Sequence, residues 1–237
     1  MHYAVSDIGG RWDKYEALLE RIAFREEDEL WVLGNVIGHG PEGLRILHDL
    51  SSRPNAHILI GNQEFAAMIC LPWLQEELTS DGTRDEVLAA RLQQVLTWKG
   101  DGGGAVMEEF SRLSLTAQQF SLDELTSLER TAEIKCGENG FVLVHANLEN
   151  FSPDRPLGDY GIGELIQGKP DPRRRYYEDR YLVFGHTPTP LLYERERIGE
   201  EGPQIFRSDR LIGIDCGCAY GGRLGCICLD DFTEYYV

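Results

Sequence analysis

Short runs of apolar and β-branched residues recur along the chain and predict the strands of a sheet. These runs are Tyr3–Val5, Leu30–Leu33, His57–Ile60, Phe141–Val144, Tyr181–Phe184, Leu211–Ile214 and Arg223–Leu229. The first three are separated by segments in which apolar residues recur every three or four positions, the spacing of an amphipathic helix. Strands that alternate with helices in this way indicate βαβ units with largely parallel pairing.

Two of the helical segments are well defined. The apolar face of segment 11–24 consists of Trp12, Tyr15, Leu18, Leu19 and Ile22. Segment 41–52 places Pro41 at an expected helix start, and its buried face consists of Leu44, Ile46, Leu47 and Leu50. Each helix therefore has one side that packs against the sheet.

Residues 63–130 follow a different pattern. They are helical in character, with breaks at 79–86 and 99–105, and contain no convincing strand. We expect them to form a helical cap insertion over the sheet, within a single domain that spans 1–237.

Charge and hydropathy narrow the classes of partner. The 237 residues include 40 acidic and 23 basic side chains, a net charge of −17 that repels phosphate backbones and anionic membranes. We therefore expect neither nucleic acid nor membrane as a partner.

The first residues do not resemble a signal peptide, and the apolar run Phe65–Leu74 is too short to span a bilayer. We expect a cytoplasmic protein whose six cysteines are reduced.

Five polar clusters stand at strand ends: SDIGG (6–10), GNVIGHG (34–40), GNQE (61–64), VHANL (144–148) and FGHTPTP (184–190). In an open α/β sheet, ligands bind beyond the carboxyl ends of the strands. We therefore expect one pocket lined by Asp7, Asn35, Asn62, His145 and His186. Oxygen and imidazole donors of this kind are typical of a metal site. Taken singly, Asp7 and Asn62 could instead cap helices, and the histidines could only be hydrogen-bonded.

In order and spacing these clusters resemble the motifs of the calcineurin-like metallophosphoesterases, most closely the bacterial and phage serine/threonine protein phosphatases. The family motifs are D-x-H-G, G-D-x-x-D-R-G, G-N-H-E, a histidine in H-A-G, and G-H-T-P. The resemblance extends over almost the whole chain. It implies an α/β fold, a metallophosphoesterase-type β-sandwich of mixed sheets flanked by helices with a helical cap insertion. It also implies a divalent metal, Mn or Zn, and a phosphorylated protein or small phosphoester as partner.

The chain departs from the family at the positions that carry the chemistry. Gly9 replaces the metal-binding histidine of the first motif, and Asn35 replaces the aspartate that bridges two metals. Gly38 and His39 replace the aspartate and arginine of D-R-G. Gln63 replaces the histidine of G-N-H-E, which resembles the group that protonates the leaving alcohol. His39 and Gln63 therefore occupy catalytic positions with substituted side chains.

These losses limit what the site can hold. Without a bridging carboxylate, two dications would be poorly neutralised. We expect at most one metal, on Asn62, His145 and His186, with Asn35 as a neutral oxygen. Gln63 cannot act as an acid. Lys169 or Arg175 could contact a phosphate, or could belong to a solvated basic turn.

Three hypotheses follow for the function. The first is a serine/threonine-phosphatase-like protein that has lost phosphomonoester hydrolysis wholly or in part, either a pseudophosphatase with a binding role or an inactivated variant. The second is an active phosphoesterase that uses a reduced, single-metal site. The third is an interaction protein that uses the helical cap and the acidic surface. The losses fall on the chemistry while FGHTPTP and other scaffold segments stay family-like, which favours the first.

The cysteine pairs 216/218 and 226/228 admit two interpretations. Four thiolates can bind structural zinc, but the usual spacing is C-x₂-C. In a strand, C-x-C places both sulfur atoms on one face. We therefore expect a hairpin that buries the thiols.

Overall fold

A computed structural model describes residues 1–75, 85–193 and 202–237 of the chain. The strands are β1 His2–Val5, β2 Glu29–Val32, β3 Ala56–Ile58, β4 Thr131–Cys136, β5 Asn139–Val144, β6 Arg180–Phe184, β7 Phe206–Ser208, β8 Leu211–Gly213, β9 Gly225–Cys228 and β10 Glu234–Tyr236. The helices are α1 Trp12–Arg21, α2 Gly43–Ser51, α3 Asn62–Gln75, α4 Asp85–Trp98, α5 Gly104–Ser111, α6 Leu115–Thr126 and α7 Ile162–Ile166. Each of the seven predicted strands is present within two residues of its predicted ends.

The strands form two mixed five-stranded sheets, which confirms the predicted sandwich. The first has the order β10–β9–β1–β2–β3, in which β1, β2 and β3 are parallel and β9 and β10 are antiparallel. The second has the order β4–β5–β6–β8–β7, with parallel β5, β6 and β8 between antiparallel edge strands. Strands β4, β7 and β10 were not predicted individually. They are edge strands, and β7 and β10 have three residues each, too few for a clear alternation.

Side chains alternate between the two faces of each strand, as a period of two requires. In β5, Phe141 and Leu143 enter the core between the sheets. Val142 and Val144 enter a second core on the outer face, where α7 packs. On the outer face of the first sheet, α1, α2 and α3 cover a third core. The layers are therefore helix, sheet, sheet and helix.

Helices occupy most of the described residues in 62–75 and 85–126, as predicted, and these ranges contain no strand. The predicted break at 79–86 begins in residues 79–84, which lie outside the described residues. The break at 99–105 is present as a π-type turn, Lys99–Gly103, in which Gly102 has φ +96°. Glu109 joins this segment to α2, because its carboxylate accepts the backbone N–H groups of Leu44 and Arg45 at 2.9 Å. The single-domain boundary 1–237 stays a prediction.

The cysteines of the two C-x-C pairs are buried free thiols. Cys226 and Cys228 of β9 face the helices, while Ile227 between them faces the other sheet. Gly217 and Arg223 form an isolated bridge across the turn that connects the two pairs. None of the helices in the described ranges is long and apolar enough to cross a membrane.

Candidate functional site

Three predicted site residues have a backbone conformation that non-glycine residues seldom adopt. Asp7, Asn35 and His186 have φ values of +54°, +51° and +62°. Asp, Asn and His tolerate this region best, yet each such residue can cost about 1–3 kcal/mol unless its surroundings fix it. They follow β1, β2 and β6, so the strained positions meet at the carboxyl ends of parallel strands.

Glu64 fixes the loop that follows β2 and joins it to the segment before α3. Its fully buried carboxylate accepts the backbone N–H groups of Asn35 at 2.8 Å, Ile37 at 3.1 Å and Gly61 at 2.9 Å. Burial raises the pKa of Glu64 despite these donors. The glutamate that ends the G-N-Q-E cluster therefore positions the loop that holds Asn35.

The loops enclose a cavity of about 100 Å³. It is lined by Asp7, Gly9, Asn35, Ile37, His39, Asn62, Gln63, Asp101, His186, Asp215, Ala219 and Tyr220. His145 lies fully buried beside it, with its ring 5.0 Å from that of His186. The fold thus brings together the five predicted ligands and both substituted catalytic positions.

The orientation of the Asn35 amide is fixed by its neighbours. The backbone N–H of Gln63 can only donate, and it lies 3.1 Å from Asn35 Oδ1. The NH₂ group must therefore face the other two partners, Asp7 Oδ1 at 2.9 Å and Asn62 Oδ1 at 3.1 Å. Asn35 joins the halves of the site with two donated hydrogen bonds, where the family aspartate would offer two oxygens to two metals.

His145 is held with a free lone pair toward the site. Its Nδ1 lies 2.6 Å from the carbonyl oxygen of Leu33, which can only accept, so Nδ1 carries the proton. Burial lowers the pKa of His145 to about 4, so at neutral pH Nε2 is unprotonated. Nε2 lies 3.0 Å from Asn62 Oδ1, an oxygen that already accepts from Asn35. Two acceptors that face each other at this distance are suited to share a cation.

Asp7 and Asp215 place two buried carboxylates at one end of the cavity, with exposed fractions of 5% and 3%. Asp7 Oδ2 accepts the Ser6 hydroxyl and, at 2.8 Å, the backbone N–H of His186. Asp215 accepts the backbone N–H of Gly217 at 2.8 Å. Burial, and secondarily the charge of Asp7, raise the pKa of Asp215 well above its ordinary range. A proton on Asp215 removes the repulsion between two charges in a small volume.

The side chain of Gln63 is held by hydrogen bonds to residues of the helical segment. Trp98 Nε1 donates to its Oε1 at 2.9 Å, and its Nε2 donates to the backbone oxygen of Asp101 at 2.8 Å. The half-buried ring of His39 packs against exposed Tyr220, with centroids 4.8 Å apart. An amide held in this way cannot protonate a leaving group, and the catalytic role of either position stays a prediction.

The space of the missing first-motif histidine is partly filled. Gly9 has φ +59°, and a Cβ atom there would lie 2.8 Å from the Cβ of Ala219. Lys169 and Arg175 line two other cavities and not this one. Arg175 pairs with Glu178 at 3.3 Å and with Asp209 at 3.5 Å. Their role in phosphate binding stays a prediction, and their placement at other cavities does not support it.

Comparisons with known proteins decide the family. A relative from Vibrio parahaemolyticus, a symmetrical bis(5'-nucleosyl)-tetraphosphatase, is 30% identical over 263 residues, covering 98% of this chain and 97% of its own. One from Chromohalobacter salexigens with the same name is 32% identical over 275 residues, covering 99% and 96%. The chain belongs to the calcineurin-like metallophosphoesterases. No family model matches it.

Solved structures show the same metallophosphoesterase fold. A putative diadenosine tetraphosphatase superposes with a TM-score of 0.62 at 19% identity, covering 100% of this chain and 92% of that one. A protein serine/threonine phosphatase from Saccharomyces cerevisiae superposes with a TM-score of 0.58 at 13% identity, covering 100% and 78%. At these identities the likeness concerns the fold alone.

The metallophosphoesterase family depends on divalent metal, and Asn35 divides the possible donors of this chain into two groups. His145 Nε2, Asn62 Oδ1 and the His186 ring stand together on one side of Asn35. On the other side the carboxylate of Asp7 is already engaged, since its oxygens accept hydrogen bonds from Asn35 and His186.

Sequence analysis missed Asp215, Asp101 and Tyr220 at this metallophosphoesterase cavity. Asp215 follows β8, so the strand-end rule that selected the five ligands would have found it. Asp101 lies in the π-type turn of the helical segment, and no local pattern connects that turn to the cavity.

Proposed function

We propose that this metallophosphoesterase binds a phosphoester through at most one divalent cation and hydrolyses it slowly or not at all. The hydrogen bonds from the Asn35 NH₂ group to Asp7 and Asn62 carry the proposal. A pair of N–H donors in the bridging position repels a cation, whereas a carboxylate would attract two. The protein is therefore a pseudophosphatase in the sense that the two-metal chemistry of the family has been lost.

The charge of the cavity supports a role for one cation. Its lining in the described residues includes Asp7, Asp101 and Asp215 but no lysine or arginine. An anionic phosphate would be repelled there unless a dication offsets the field. His145, Asn62 and His186 would hold that ion, Mn²⁺ or Zn²⁺, which would polarise a phosphoryl oxygen.

The dimensions favour a small phosphoester over a phosphoprotein. A cavity of about 100 Å³ suits a phosphate group, whereas pockets for whole small molecules commonly measure about 300–1,000 Å³. A second groove of about 360 Å³ shares Asn62 and Asp101 with the cavity and is lined by apolar side chains that include Phe65, Ile69 and Trp98. It would receive an apolar, planar organic part such as a nucleobase. The dinucleoside tetraphosphatase names of the relatives agree with this class.

A second candidate, slow hydrolysis with a single cation, is favoured by Asp215. Burial raises the pKa of Asp215, which favours its protonated form inside the cavity, and a protonated carboxyl there would supply the acid that Gln63 cannot. An Asp215→Asn variant would then lose the remaining turnover and retain ligand binding.

The test compares this protein with the Vibrio parahaemolyticus relative, both stripped of metal and reloaded with Mn²⁺ or Zn²⁺. We expect hydrolysis of p-nitrophenyl phosphate and diadenosine tetraphosphate to be lower by about 10⁴-fold or more, since each of two lost groups is commonly worth about 10². Calorimetry should still detect binding of the nucleotide that depends on metal and on His145. Turnover within about tenfold of the relative would refute the proposal.

A further inference from the structure

A second set of metal-binding side chains meets away from the cavity. In the described part of the chain, the ligand atoms of His2, Cys136 and Asp230 all lie within 4.8 Å of one another. His2 begins β1, Cys136 ends β4, and Asp230 follows β9. The cluster therefore joins the first sheet to the second through residues more than ninety positions apart in sequence.

The spacing between His2 and Asp230 suits two ligands of a tetrahedral ion. His2 Nδ1 lies 3.3 Å from both carboxylate oxygens of Asp230. Two ligand atoms at about 2.0–2.1 Å from zinc in tetrahedral geometry are separated by about 3.3–3.4 Å. The backbone N–H of His2 donates to Asp230 Oδ2 at 2.6 Å, which orients the carboxylate toward the ring. The thiol of Cys228 lies 3.8 Å from the same oxygen and borders the site.

We propose that His2, Cys136 and Asp230 form a binding site for a borderline transition-metal ion such as Zn²⁺, separate from the phosphoesterase cavity. One imidazole, one thiolate and one carboxylate are all established zinc ligands, and the two anions neutralise a dication. On binding, the Cys136 thiol releases its proton to solvent as the Zn–S bond forms. The side chains of His2 and Asp230 are 35% and 29% exposed, so an ion can enter from solution while Cys136 stays buried.

Cobalt(II) is the probe, because a Co–thiolate bond produces a ligand-to-metal charge-transfer absorption that nitrogen and oxygen ligands do not. The full chain, stripped of metal, is titrated with Co²⁺ under reducing conditions. In the parent protein we expect a thiolate band whose amplitude at saturation corresponds to one Co–thiolate bond per chain, whatever Co²⁺ the phosphoesterase cavity also takes up, and we expect no band in Cys136→Ser. Cys70→Ser is the matched control, because Cys70 is also a buried free thiol but lies in α3. It should retain the band.

Two further variants keep the result interpretable. His2→Gln should retain the band but weaken Co²⁺ binding by about tenfold or more, and it remains informative if Cys136→Ser does not fold. His145→Ala should leave the band unchanged, since its metal would lie in the phosphoesterase cavity, whose lining in the described residues includes no cysteine. A parent protein without the band, or a band that persists in folded Cys136→Ser, would overturn this site and leave the proposed phosphoester function untouched.

Discussion

Asn35 shows how the exchange of one atom changes what a conserved-looking loop can hold. The loop keeps its positive φ and two backbone N–H groups, of Asn35 and Ile37, that the Glu64 carboxylate accepts, so its shape is that of a ligand loop. The side chain offers NH₂ donors to Asp7 and Asn62 where a bridging carboxylate would offer lone pairs. The site satisfies these oxygens through its own hydrogen bonds and needs no metal to do so.

Asn35→Asp should reverse this preference. Without metal, the new carboxylate faces Asp7 and loses both donated hydrogen bonds, so the free energy of unfolding should fall by about 1–3 kcal/mol. Added Mn²⁺ should restore it, because the carboxylate now attracts the cation. Thermal unfolding with EDTA and with Mn²⁺ measures both effects. Asn139→Asp, at the start of β5, is the control with the same charge change and should respond little to Mn²⁺. Equal responses of the two variants would contradict the prediction.

His145 predicts a pH dependence of stability in the metal-free protein. Its folded pKa of about 4 lies below the ordinary value of 6.5, so the unfolded chain binds the proton first. This contribution to stability is complete above pH 6.5 and is lost as the pH falls toward 4, by about 3 kcal/mol at 1.36 kcal/mol per unit. Urea unfolding across that range should show a shallower dependence in His145→Gln. The control His57→Gln, outside the cavity, should behave as the parent does; identical slopes in all three proteins would refute the assignment.

At the scale of elements, the helical segment is part of the cavity wall. Trp98 at the end of α4 and Asp101 in the turn that follows it hold the Gln63 amide from both sides. The turn fits because Gly103 has no side chain, since a Cβ there would lie 2.3 Å from the Trp98 ring. The position of a ring on one helix therefore depends on one residue of the turn after it.

Gly103→Ala should displace the Trp98 ring, lowering the free energy of unfolding by about 1–3 kcal/mol and weakening phosphoester binding. Its neighbour provides a matched control, because a Cβ at Gly104 meets nothing closer than 3.4 Å. Both residues have helical φ values of −67° and −58°. Gly104→Ala should be neutral or slightly stabilising. Tryptophan fluorescence and urea unfolding test the pair, and equal destabilisation would argue against the ring contact.

The loop after β1 limits how well the missing histidine of the first motif can be restored by substitution. Gly9→His alone places a side chain at φ +59° with its Cβ against Ala219, so we expect a loss of about 2 kcal/mol or more and no added metal. Ala219→Gly removes the contact and should recover part of that stability. A double-mutant cycle by urea unfolding measures the coupling. Strict additivity of the two substitutions would show that Ala219 is not the obstacle.

At the scale of the whole molecule, the net charge of −17 repels an anionic ligand that approaches from solution. The three aspartates of the cavity repel it again inside. Two opposing terms follow: a bound cation attracts the phosphate at short range, and the surface repels it at long range. Salt weakens the long-range term more strongly, because the Debye length shortens to about 8 Å near 0.15 M.

Association of a fluorescent nucleotide phosphoester with the Mn²⁺-loaded protein should therefore become faster as salt rises. We expect an increase of severalfold in the association rate constant between about 0.01 M and 0.15 M KCl, measured by stopped flow. Most anion-binding proteins behave in the opposite way. A rate that falls with salt would show that positive potential surrounds the entrance to the cavity.

The sequence by itself determined the strands with strong apolar alternation, the helix faces and the strand-end positions of the five predicted ligands, which the fold brings together. Each depends on local periodicity or on the rule that ligands gather at strand ends. Because Asn35 and Gly9 replace metal ligands within otherwise family-like motifs, the sequence also indicated that two metals would not be held. It did not reveal the edge strands β7 and β10, since three-residue strands exist through pairing with a neighbour rather than through their own pattern.

Only the tertiary structure decided which hydrogen bonds satisfy the polar groups of the site. The direction of the Asn35 amide follows from a backbone N–H at Gln63, and the free lone pair of His145 follows from the carbonyl of Leu33, 112 positions away. Asp101, Ala219 and the cluster around His2 likewise depend on contacts between distant segments. Hydrogen-bond direction, burial and excluded volume are properties of atoms in three dimensions, and residues that far apart carry no local pattern that encodes them.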